Sequence, residues 1–174
     1  AGDQYFIKAG FSFIVSRSPI NLRPIFFVTK KQNPKGLALF AMSYFNLFRI
    51  TGNHKYVSKA ESLLKSLLNV SQKENFSGHC WGYDHPWQSK GFFAERYSPN
   101  IVVTVFVALA FQMAYKYTQK NEYLEIAKNV SNFIQKDLTT IIDSENYLCS
   151  SYIPDNNWKV ININALIADY YSVL

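Results

Sequence analysis

The residues best equipped for chemistry in this chain crowd into one stretch, Ser77-Gly-His-Cys-Trp-Gly-Tyr-Asp-His-Pro-Trp-Gln-Ser-Lys-Gly-Phe-Phe-Ala-Glu-Arg-Tyr-Ser-Pro-Asn100. It holds two of the three Trp and two of the three His and follows neither a helical nor a strand period. Irregular segments of this kind, set on a rigid scaffold, are where binding usually resides. The flat rings of Trp81, Tyr83 and Trp87 can stack on the apolar faces of sugars. Asp84, His85, Gln88, Glu95 and Arg96 can bond hydroxyls, and the planar fork of Arg96 can hold a carboxylate. The competing assignments are packing for Trp81 and Trp87, and an ion pair with Glu95 or Asp84 for Arg96.

Catalysis by such a segment would rest on paired carboxylates. Glycosidases hold two of them about 6.5–9.5 Å apart when they invert and about 5–5.5 Å apart when they retain. Asp84 with Glu95 is the first candidate pair and Asp84 with Asp155 the second; spacing along the chain does not set either distance. Further polar groups come from helix entrances. Asn100 is a good N-cap for a helix beginning at Ile101, Thr104 is a rare polar group one turn later, and Asn162 and Asn164 open another apolar helix. Each is a candidate to line a shared cavity, with capping as the plainer role. His79, Cys80 and Cys149 would make a three-ligand zinc set with an open position. No CxxC or HExxH accompanies them, and Cys is commonly a small buried hydrophobe. The expectation is no metal and no cofactor, with zinc as the minor alternative. Three matches to the glycosylation sequon, at Asn69, Asn75 and Asn129, are short enough to arise by chance and carry no weight.

The elements that must position these groups show themselves as a repeat. Shifting the chain by 67 residues lays Ala41 on Ala108, Thr51 on Thr118, Tyr56 on Tyr123, Ala60 on Ala127, Leu63 on Val130 and Leu67 on Ile134. Each unit has two unlike helices. The first, about 36–50 and again about 100–117, is apolar nearly all round and must be covered on most sides. The second is amphipathic: Tyr56, Val57, Ala60, Leu63, Leu64, Leu67 and Leu68 share a face, and about 121–137 repeats it. Short links, Thr-Gly-Asn-His and Thr-Gln-Lys-Asn, make each pair antiparallel. One buried and one half-exposed helix per repeat describes two concentric layers, an all-α toroid. An open superhelix is the rival, but its repeats run about 34–47 residues. The expectation is a single domain over 1–174, with hairpins at about 36–70 and 100–138 and a third inner helix from about 161 that has no outer partner. Repeats bury their faces against neighbours. The chain is therefore expected to be a piece of a larger toroid, or to have its open edge covered in an oligomer.

Composition excludes several classes. Hydrophobic residues make up 48% and charged residues 17%, which is not the composition of a disordered chain. The net charge of +6 is scattered, with Lys30-Lys31 the one adjacent pair, so no nucleic-acid partner is expected. The longest apolar run, Ile101 to Tyr115, falls short of the roughly 18–20 residues that span a bilayer, and a buried helix accounts for it. Two cysteines are too few for a disulfide scaffold. The start, Ala1-Gly2-Asp3, has neither Met nor a signal-peptide pattern, and a cytoplasmic location is expected.

Four segments together carry a resemblance: Asn33-Pro-Lys-Gly-Leu-Ala-Leu, Cys80-Trp-Gly-Tyr with Trp87-Gln-Ser, Ser98-Pro-Asn-Ile-Val-Val-Thr104, and Val160-Ile-Asn-Ile-Asn-Ala-Leu. From about Pro19 onward the chain resembles proteins encoded among bacterial surface-polysaccharide genes, which are similar to six-hairpin glycosidases and terpene-cyclase-like toroids. Some of those proteins carry the label of a δ-aminolevulinic acid dehydratase, a metal-assisted β/α-barrel enzyme, and helical hairpins give that label no support. The resemblance implies later hairpins that this chain lacks. The chain departs from it at Tyr83-Asp-His-Pro, where those proteins have an aromatic or aliphatic residue at the place of His85, which weakens any role for His85. The expectation is then a carbohydrate-active protein of the hydrolase, lyase or epimerase kind. Trp81 and Trp87 would hold the sugar, Arg96 an acidic group, and Asp84 would act as acid or base. A glycan-binding or scaffolding protein without turnover is the alternative, and a zinc enzyme the third. The terpene-cyclase alternative lacks the Asp-rich motif it would need.

Overall fold

The computed structural model describes residues 10–11, 13–22, 24–25, 31–89, 92–144, 147–158 and 160–174. The chain divides into two compact units, Ala1–Lys31 and Gln32–Leu174, and all the repeated helices of the expected domain lie in the second. In the first, residues 10–11 and 13–17 are helical, and the Arg17 guanidinium lies 4.5 Å from the centre of the Phe13 ring.

The second unit consists of α1 (Pro34–Thr51) and α2 (Lys55–Leu68), α3 (Ile101–Thr118) and α4 (Asn121–Lys136), and α5 (Ile161–Ser172). Sequence placed these helices to within about two residues because their ends are written locally. Asn33 is extended and its Oδ1 accepts from the Gly36 N–H, with Pro34 in the first turn, where its missing donor costs nothing. Asn100, 67 residues on, does the same for the Val103 N–H. At the other end, Gly52 and Gln119 both take left-handed backbone, with φ of 67° and 58°. Thr51 and Thr118 each donate a hydroxyl hydrogen bond of 2.7 Å to the carbonyl four residues back. Contacts repeat as well as caps. Tyr44 stacks with Tyr56 at 6.1 Å between ring centres, and Phe111 meets Tyr123 at 6.0 Å in the equivalent place.

Packing sorts the helices into layers. α1 packs on α3 and α3 on α5, while α2 and α4 cover the back of their own partners. The inner helices are parallel: Lys35 at the start of α1 lies over Phe106 near the start of α3, and Phe45 and Phe48 near the end of α1 meet Tyr117 near the end of α3. Ten residues of α3 are buried, so this helix forms the centre of the core with Phe45, Leu64, Leu67, Phe133 and Ile163 around it. At 18 residues α3 is, among the described residues, the one helix long and apolar enough to cross a membrane, which the interrupted run Ile101–Tyr115 understates. Its covering by neighbours on most sides is that of a core helix.

Parallel inner helices bring the long inter-hairpin loops to one end. The first contains a two-rung ladder, β1 (Trp87–Gln88) against β2 (Phe93–Ala94), and an isolated bridge between Gly82 and Pro99. The second opens with a hairpin of β3 (Thr140–Ser144) and β4 (Tyr147–Ser150). Neither pairing was expected. Two rungs are too short to show a period of two, and the β-prone Thr140-Ile-Ile and Tyr147-Leu-Cys are too brief to stand out from an apolar helix.

Candidate functional site

The loop from Ser77 to Asn100 is fastened before it is free to bind anything. The Ser77 N–H and hydroxyl both bond the Asp137 carboxylate at the end of α4, at 2.8 and 2.9 Å, and the His79 N–H donates to Asn129 Oδ1 at 2.8 Å. Between them Gly78 lies so close to α4 that a Cβ would enter the Asn129 carbonyl oxygen. Gly82 is confined in the same way by the backbone of Ser98. Trp81 is fully buried: its Nε1 donates to the Leu67 carbonyl at 2.7 Å, and its ring stacks between His79 and Phe111. It therefore packs the mouth of the helical layer and has no face left for a sugar. Thr104 does not face a cavity. Its Oγ1 accepts from the Trp81 N–H at 3.1 Å and donates to the Trp81 carbonyl at 3.3 Å, fixing the loop to α3. Asn100 is buried as the cap of α3, and its Nδ2 has no partner among the described residues.

Beyond this anchored base the loop presents a rim. Trp87, half-buried, meets Tyr83 at 6.1 Å, Phe92 at 5.1 Å and Tyr152 at 5.5 Å between ring centres. Phe92 in turn meets Trp158, which is 42% exposed. Tyr152 and Trp158 come from the second inter-hairpin loop, and the Tyr152 carbonyl accepts from the Ile101 N–H at 3.0 Å, so both loops are tied to the start of α3. Burial raises the Tyr83 hydroxyl above its usual pKa. Burial, with Tyr83 nearby, pushes the Tyr152 hydroxyl up to about 12. Both phenols therefore remain proton donors at neutral pH.

The charged groups flank this cluster. Asp84 is 17% exposed in its side chain, and its Oδ1 lies 3.1 Å from His85 Nδ1, with the His85 ring stacked on Tyr83 at 5.5 Å. Arg96 donates from Nε to the Asp84 carbonyl and from its terminal nitrogen to the Tyr97 hydroxyl, each at 2.8 Å, and its guanidinium lies over the Tyr97 ring. Tyr97 holds this place at φ 64°, a left-handed conformation that costs an aromatic residue about 1–3 kcal/mol. Glu95 is exposed, directly after buried Ala94 at the end of β2. Asp155 is exposed in a turn of the second loop, at φ 54°. Gln88 is exposed and folds onto its own hairpin, Nε2 donating to the Ser89 and Phe92 carbonyls.

The two asparagines at α5 part company. Asn162 is exposed, whereas Asn164 is bonded to Ser150, its Oδ1 accepting from the N–H at 2.8 Å, and so clips β4 to α5. His79, Cys80 and Cys149 do not come together with one another or with a carboxylate as a metal-binding group; among the described residues there is no such group of three. Instead His79 Nδ1 lies 2.8 Å from the Ser71 hydroxyl, and its pKa is lowered to about 4 by burial and by Lys73. Burial raises the Cys80 thiol, with Asp137 adding to it, which opposes the thiolate a metal would need.

Sequence reasoning missed Tyr152, Trp158 and Phe92. The signal was there, since the third Trp and a Tyr occupy the second loop at the equivalent end of the repeat, but joining them to Trp87 needs the inner helices to be parallel neighbours. No family model matches the chain and no curated protein does. Solved structures do. A family 76 glycoside hydrolase (mannosidase) from Bacteroides thetaiotaomicron VPI-5482 matches with a TM-score of 0.56 at 17% identity, over 82% of this chain and 38% of that one. A family 76 glycoside hydrolase from a bovine Bacteroides thetaiotaomicron strain gives 0.58 at 17% identity, over 84% and 31%. The fold is an α/α toroid. The chain spans about a third of the length of these two enzymes, so it forms part of the ring. In this toroid the aromatic rim lies at the end where the inner helices begin.

Proposed function

We propose that the rim holds a glycan in a glycosidase-like toroid, with Asp84 as the acid or base and Trp87, Tyr83 and Trp158 as the sugar platform. The observation that carries this reading is the aromatic cluster assembled from two separate inter-hairpin loops, with a mostly buried carboxylate at its edge. Aromatic rings give a sugar apolar faces to stack on, while Tyr83 and Tyr152 supply hydroxyl donors. Support for a neutral, mannose-type substrate comes from the mannosidase among the structural neighbours. Arg96, at the exposed side, suits an acidic substituent. The likeness of the sequence motifs to proteins of bacterial surface-polysaccharide gene clusters favours a glycan from that setting.

Tryptophan fluorescence during titration with mannose-type and uronate-containing oligosaccharides tests the site. Saturable quenching that disappears in Trp158→Ala is the expected result, and no response to either panel would defeat the proposal. Release of reducing ends tests the chemistry: Asp84→Asn should abolish it with binding intact. A second reading, glycan binding without turnover, is favoured by the exposure of Glu95 and by the contact of Asp84 with His85. Binding by the wild type with no turnover would select it.

A further inference from the structure

Toward the C-terminal ends of the inner helices, away from the rim, the second unit has a cavity of about 730 Å³. Met42 of α1, Leu109 and Met113 of α3, and Leu124 of α4 make its apolar wall. These include both methionines of the chain, unbranched side chains that adapt to a ligand's shape. Its size lies within the roughly 300–1,000 Å³ of small-molecule sites.

Among the described residues the wall has one buried polar side chain, Gln112, which is 7% exposed. Its Nε2 donates to the Tyr170 carbonyl at 3.1 Å, while its Oε1 is shielded from solvent and finds no partner among the described residues. The repeat makes this residue unusual: the position 67 residues earlier is Phe45, a fully buried ring. Packing at this place in the repeat calls for an apolar side chain, and α3 instead has an amide with a spare acceptor. One turn further along the same helix face stands Lys116, the one charged side chain on the wall among the described residues.

We propose that this cavity binds an aliphatic molecule ending in a hydroxyl group. The hydroxyl donates to Gln112 Oε1, reached by a small turn of the amide, and accepts from Lys116 Nζ. An ammonium head would meet the Lys116 charge, and a carboxylate would set its oxygens against Oε1. A hydroxyl has both a donor and an acceptor on one atom, which suits both neighbours.

Calorimetric titration with 1-octanol, its methyl ether and octanoate tests the assignment. Octanol should bind the wild type saturably with one site per chain, and the ether, which lacks the donor, should bind at least about five-fold more weakly. Gln112→Leu, which leaves no orphaned acceptor, should erase that difference while keeping the apolar affinity. Leu109→Trp, with its fold checked by circular dichroism, should abolish binding by filling the space. Absence of saturable octanol binding, equal affinity of octanol and ether for the wild type, or tighter binding of octanoate than of octanol would each overturn the proposal.

Discussion

Val107 of α3 and Phe40 of α1 stand at the same place in the repeat, yet Val107 is fully buried and Phe40 is 65% exposed. Ala114 and Leu47 show the same contrast, and Ile50 joins the open side of α1. Both helices have the same caps, the same threonine near the end and the same ring pair to the outer layer. What differs is company. α3 has an inner neighbour on each side, α1 and α5, whereas among the described inner helices of its unit α1 has α3 alone. The hairpin is thus a locally complete design whose burial depends on the next copy, as stacked repeats require.

The sharpest way to break this comparison is a charge at the paired positions. Val107→Asp should cost more than about 3 kcal/mol, because an unpaired carboxylate enters a packed interior, while Phe40→Asp should change stability by no more than about 0.5 kcal/mol. Urea unfolding of both variants measures the difference. Equal losses would mean that another surface covers α1 in solution.

The next effect concerns the segment that pins the second hairpin. His79 is held neutral in the folded chain with a pKa of about 4, below its ordinary value of 6.5. The unfolded chain therefore takes up this proton first, so stability is full above about pH 6.5 and falls as pH drops toward 4. Because the ring is only half-buried, the loss is about 1–2 kcal/mol, and His79→Asn should flatten unfolding free energies measured between pH 7.5 and 4.5. An unchanged pH slope in the variant would assign the loss to other groups.

The caps give a smaller contrast. Asn100→Ala should cost about 1–2 kcal/mol and Asn33→Ala about 0.5–1 kcal/mol, since both lose a cap but only Asn100 is buried. Thermal unfolding of the two variants ranks them, and equal costs would show that burial adds nothing to the cap. Least of all, Gln119→Gly should gain about 0.5–1 kcal/mol by relieving a left-handed residue, and Gly52→Ala should lose about as much. A loss in Gln119→Gly would show that the hydrogen bonds of the Gln119 side chain to the Tyr115 and Lys116 carbonyls outweigh the strain.

Much of this architecture was legible from the residues. Asn33-Pro34 and Asn100 marked helix starts, and the 67-residue shift predicted a repeat that the structure shows down to single hydrogen bonds. The loop richest in chemistry was also found, but its side chains could not be sorted. Trp81 and Trp87 stand six residues apart, and one is core while the other belongs to the rim. Thr104 and Asn164 looked like lining residues and are fasteners, because each finds a backbone partner brought from elsewhere in the chain.

The sequence by itself determined the helices, their ends and their pairing into hairpins, because caps, turns and amphipathic faces act within one or two helical turns. Only the tertiary structure decided which aromatic rings share a rim, which face of α1 stays open and which amide is left without a partner. Those outcomes depend on neighbours tens of residues away, and burial is a property of the assembled layers.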